Sequence, residues 1–153
     1  MSNVNYLRHT YEVALKMQKF AKLTDICDSD VAYMIGYFHD IGKEFLNGRP
    51  LCEHNKAGEE ILNKLGFKYA NIVGAHGDPE SELRDLPLVR LLNYCDLTIS
   101  NAGEPCSVSE RLDSVILRYG KDSKQHHDTS NLIQVMSSGG WTIDRFSRLD
   151  DYE

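Results

Sequence analysis

Apolar residues along this chain recur at intervals of three and four, while alternating stretches are scarce, a pattern that predicts helices rather than strands. The first helix is expected over residues 5–22, where Tyr6, Val13, Ala14, Met17, Phe20 and Ala21 fall on one stripe. A second starts near Ser29 and runs through Val31, Ile35 and Phe38 to His39, and Gly42 is expected to let the chain leave it in a left-handed turn. Asn47-Gly48-Arg49-Pro50 has the chemistry of a loop. A third helix is predicted from about 52 to 65, with Ala57, Ile61, Leu62 and Leu65 inward and Gly66 at its C-terminal cap. A short fourth, over 69–76, is closed by Gly77-Asp78-Pro79.

The fifth predicted helix is the most apolar, with Leu88, Leu91, Leu92, Cys95 and Ile99 in a continuous stripe, Asp85 as a candidate cap and Pro87 in its first turn. Ser107-Val108-Ser109-Glu110 reads as a capping box that opens a sixth helix, which Gly120 ends. Leu132, Ile133, Val135 and Met136 mark a seventh, ended by Gly139-Gly140. From Trp141 onward the chain turns polar and is expected to be loosely attached. With no repeat, linker or low-complexity tract, the expectation is an all-α, single-domain helical bundle of about six to seven helices.

Composition changes this picture little. The 153 residues suffice for one domain with a real core, and 41% hydrophobic with 26% charged residues is ordinary for a globular protein. A net charge of -6 argues against charge-driven binding to a nucleic-acid polymer, yet leaves a nucleotide substrate open if a metal supplies local positive charge. No run approaches the roughly 18 apolar residues of a membrane span, and MSNVNYLRH lacks a signal-peptide pattern, so the expectation is no membrane partner and a cytoplasmic location. Cys27, Cys52, Cys95 and Cys106 form no CxxC pair and are expected to be reduced and mostly buried.

Candidate chemistry lies in His9, the pair His39-Asp40, His54, His76 and Asp96. Each stands on or at the end of a predicted helix, close to its apolar stripe. One such histidine is ordinarily a hydrogen-bonded core residue, and a carboxylate late in an apolar helix needs a partner or a metal. Five helices that each direct an imidazole or carboxylate inward form a donor set suited to Fe, Mn, Ni, Co or Zn, and helical bundles build such sites between facing helices. Adjacent His39 and Asp40 diverge by about 100° on a regular helix, so both reach one ion only if the helix ends there.

The segment FHDIGK, residues 38–43, resembles the signature of the HD-domain superfamily of metal-dependent phosphohydrolases. His9 in HTYEVA resembles that family's first-helix histidine, and Asp96 in LLNYCDLTIS its late-helix aspartate. His54 in EHNKAGEEILNKLG and His76 in IVGAHGD resemble the additional histidines of its two-metal subgroup. The resemblance covers about residues 6 to 100, with a looser likeness through ERLDSVILRYG.

It implies an HD-type phosphohydrolase domain over residues 1–140 and a polar tail over 141–153. It implies His9, His39, Asp40 and Asp96 as ligands of one divalent transition metal, with His54, His76 and a bridging Asp40 for a second. In that reading Lys43, Asp40, His54 and His76 take part in catalysis on a small phosphorylated substrate such as a nucleotide. The chain departs from relatives that cleave cyclic dinucleotides, since Gly77 follows His76 where they carry a second histidine, and their GYP motif is absent. Arg111 and Arg118, seven apart on one helix face, are candidate phosphate clamps, and His126-His127 are expected in a solvated loop. Two alternatives use the same residues: a di-iron oxygenase on the same scaffold, and a non-catalytic nucleotide-binding module.

Overall fold

Helix α1, Asn3–Thr24, is the longest element of the computed structural model, which describes residues 3–152. Its stripe of Val13, Ala14, Met17, Phe20 and Ala21 is buried as the spacing requires. It pairs with α2, Ser29–Phe38, whose first turn is capped by Asp28 accepting from the amides of Asp30 and Val31. The two helices approach closely at Gly36, where a Cβ would come 2.8 Å from the Ala14 Cα. Only glycine permits that packing.

After α2 the chain makes a 3-10 turn, Ile41–Glu44, and a second one, Leu51–Glu53, leads into α3, His54–Lys64. Gly42 is not in the left-handed region that the sequence predicts for it. Its glycine character has another cause: a Cβ there would overlap the His54 carbonyl and the Gly58 amide of α3. Helices α4, Ala70–Ala75, and α5, Pro87–Leu97, follow. Helix α5 is the centre of the molecule, with Val89, Leu91, Leu92, Tyr94, Cys95 and Leu97 all buried. Asp85 does not cap it; Leu86 holds that position, and Asp85 instead accepts from Arg90 at 2.9 Å.

The capping box at Ser107 and Glu110 opens α6, Val108–Tyr119, which ends at Gly120. Helix α7, Lys124–Val135, begins eight residues before its apolar cluster, so His126 and His127 stand in its first turn rather than in a loop. Ser123 supplies the start signal, accepting from the His126 amide at 3.1 Å. An eighth helix, Ile143–Ser147, corrects the expectation of a loosely attached end. Phe146 is wholly buried and stacks on Tyr94 and Trp141, with ring centroids 5.1 and 5.0 Å away, while Asp150 accepts from the Tyr94 hydroxyl. One buried aromatic among polar neighbours is too sparse a pattern to register as a periodicity.

The architecture is all-α, and among the described residues the nearest thing to a strand is an isolated bridge between Ile99 and Pro105. No described helix is long and apolar enough to cross a membrane. All four cysteines are free thiols, but only Cys95 is buried; Cys52 is exposed, and Cys27 and Cys106 are intermediate.

Candidate metal centre

The six singled-out side chains meet in one place, and most of them do so because helices end there. His39 keeps helical angles at the end of α2, whereas Asp40 departs to φ -104° and ψ 10°. That break swings two neighbouring side chains toward a common point, as a continuous helix would not. His54 is the first residue of α3, His76 follows the last residue of α4, and Asp96 is next to last in α5. His9 lies within α1 and is buried with His39, Asp40 and His76.

Two clusters share one carboxylate. In the first, Asp96 Oδ1 lies 2.9 Å from His9 Nε2 and 3.3 Å from His39 Nε2. Asp40 Oδ2 lies 3.3 Å from the same His39 nitrogen and 3.7 Å from that of His9. In the second, the other oxygen, Asp40 Oδ1, is 3.2 Å from His54 Nε2 and 3.6 Å from His76 Nε2. Each cluster brings its ligand atoms within 4.8 Å of one another.

Ring orientation is set from behind. The Nδ1 atoms face backbone carbonyls: Ser100 for His9 at 2.9 Å, Gly36 for His39 at 2.6 Å, Leu51 for His54 at 3.0 Å and Val73 for His76 at 2.5 Å. A carbonyl only accepts, so each Nδ1 donates its proton, and a neutral ring then turns a bare Nε2 inward. The Nε2 atoms of His54 and His76 stand 3.1 Å apart. Two lone pairs at that distance need a proton or a cation between them. The donor set therefore fits divalent metal ions, and both clusters could hold one.

Electrostatics agree. Burial pushes the Asp40 carboxyl up, but the charges of His39 and Lys43 hold it well below the usual carboxylate range. Burial acts likewise on Asp96, and hydrogen bonds from His39 and His9 outweigh it in the same direction. For His39, burial opposes the charged ring, yet Asp40 and Asp96 push its pKa up to about 10. Burial pushes His76 down and keeps it neutral. Without an ion, one proton on His39 thus stands in for a cation between two carboxylates.

Other predicted residues divide. Lys43 lies 3.2 Å from Asp40 Oδ2 and lines the cavity above the clusters. Arg111 and Arg118 line it too, but Arg111 also donates from Nη1 to the carbonyls of Asp96 and Ile99 at the end of α5. Arg118 is exposed at the rim, and His126 and His127 are not in the cavity wall.

Two supports escape a reading of the sequence. Tyr6, legible only as an apolar position, donates to the Asp40 carbonyl at 2.8 Å. Asn93, buried on α5 three residues before Asp96, accepts from the Gly77 amide at 2.8 Å and so fixes the turn that carries His76. A polar residue inside the apolar run LLNYC is the one signal that marks Asn93.

In comparison with known families, the HD domain model matches residues 6–100, the span that contains all six side chains and Lys43. No curated protein and no solved structure matches the chain.

Proposed function

The chain belongs to the HD domain family, and on that premise we propose that it is a metal-dependent phosphohydrolase acting on a nucleotide or another small phosphate ester. The observation that carries this reading is the splitting of Asp40, whose two oxygens face two histidine clusters with inward Nε2 atoms. In this reading His9, His39, Asp40 and Asp96 hold one divalent ion, and Asp40, His54 and His76 hold a second. Such ions supply Lewis acidity, lowering the pKa of water at the site and neutralising charge on phosphoryl oxygens. Fe, Mn, Ni, Co and Zn all accept this mixture of imidazole and carboxylate.

The chain's own groups have separate tasks. Asp40 sets the spacing of the two clusters. Lys43, one quarter exposed and directed at the cavity, offers its ammonium to a phosphate oxygen while remaining paired to Asp40. Each cluster opens to the cavity through one side chain, His54 of the second, 24% exposed, and Asp96 of the first, 19% exposed. If the second cluster holds no ion, the His54 and His76 nitrogens remain available to bind phosphate or to protonate the leaving oxygen.

The test is hydrolysis of phenyl phosphate and of nucleoside 5′-monophosphates by protein reconstituted with Mn, Fe, Co, Ni or Zn. Activity is expected with at least one metal, with loss in Asp40→Ala and His39→Ala together with their bound metal. Unchanged metal content and activity in both variants would contradict the reading.

A further inference from the structure

The cavity of about 220 Å³ has two unlike ends, and only one of them is accounted for by the metal ligands. Asp40, Asp96, His54 and Lys43 form one end, which Arg111 of α6 also reaches with Nη2 3.8 Å from Asp96 Oδ1, whereas the rest of α6 and α7 lines the remainder, in a segment beyond the residues matched by the family model. Arg111, Ser114 and Arg118 recur on α6 at intervals of three and four, and Gln125, Asp128 and Thr129 do so on α7. Each helix thus adds polar groups to the same space, on α6 beside Val115 and Tyr119.

No residue of α6 is buried, and in α7 only Leu132 is, so these polar side chains keep water or a ligand as their partner. Among the described residues Asp128 pairs with Lys124 at 2.5 Å, a largely exposed residue one turn earlier. The pair leaves carboxylate lone pairs free for a group inside the cavity.

We propose that the α6–α7 wall selects the substrate by binding its non-phosphate part, with Asp128 and Gln125 accepting hydrogen bonds from a nucleoside-like group. This rests on the phosphohydrolase reading above. Lys43 and Arg111 take the phosphate end, and the wall takes ribose hydroxyls or base amino groups. An aliphatic ester would strip water from these polar side chains without replacing its hydrogen bonds.

The experiment compares kcat/KM for the four ribonucleoside 5′-monophosphates with that for phenyl phosphate, which carries the same reacting group and no hydroxyl or amino donors. The wild type is expected to favour at least one nucleotide. Asp128→Ala is expected to lower the ratio of that nucleotide to phenyl phosphate by about tenfold, through KM. Lys124→Ala, which breaks the same ion pair from outside, should leave the ratio within about twofold.

Equal loss on both substrates, an unchanged ratio in Asp128→Ala, or the same shift in Lys124→Ala would overturn the wall's role. Absence of turnover on every substrate with every metal would instead overturn the phosphohydrolase reading on which the proposal rests.

Discussion

Asp40 is the residue on which both clusters depend, and His39 is the one whose protonation reports on them. The raised pKa of His39, about 10 against an ordinary 6.5, means that the metal-free protein carries a proton there at neutral pH. An ion entering the first cluster must displace it. Metal affinity should therefore rise about tenfold per pH unit between about 6.5 and 9, and calorimetry in buffers of different ionisation enthalpy should register about one proton released. A pH-independent affinity would contradict that assignment. The six inward residues are legible in the sequence because each interrupts or ends an apolar stripe. Their supports are not, since Tyr6 reaches Asp40 across 34 positions and Asn93 reaches Gly77 across 16. No local spacing encodes such pairs.

At the scale of elements, the centre exists because helices stop. Helix α2 ends at Phe38, α3 begins at His54 and α4 ends at Ala75, so His39, Asp40, His54 and His76 sit where chain direction changes. The 3-10 turn after Asp40 must lie against α3, and Gly42 makes that possible. Gly42→Ala forces backbone on backbone and is expected to cost about 2 kcal/mol or more, and to weaken metal binding by displacing His54. Thermal melting together with metal titration checks this, and a variant as stable and as metal-competent as the wild type would refute it. Helix positions were readable from apolar periodicity and from Pro87, Ser107 and Gly120. The start of α7 and the whole of α8 were not, because their anchors are a serine cap and a single phenylalanine.

For the molecule as a whole, α5 joins the parts: its core side chains seat α1, Asp96 serves the first cluster, and Tyr94 holds Phe146 and Asp150. Residues 143–150 are accordingly part of the fold. Phe146→Ala is expected to destabilise the protein by about 3 kcal/mol while leaving metal content intact in the folded fraction, as read by chemical denaturation.

Stability of the metal-free protein should have two limits in pH. Asp40 and Asp96, held below the usual range, contribute stability that is present above about pH 4 and lost as pH falls toward their folded values. His39 contributes stability that is full below about 6.5 and lost as pH rises through about 10. A bound metal replaces that proton and adds about 2.7 kcal/mol when present at one hundred times its dissociation constant.

The central claim is a pair of metal sites joined by Asp40, and elemental analysis of reconstituted wild type, His54→Ala and Asp40→Ala tests it most directly. Two ions per chain in the wild type, one in His54→Ala and none in a folded Asp40→Ala is the predicted result. Wild-type metal content in folded Asp40→Ala would contradict it.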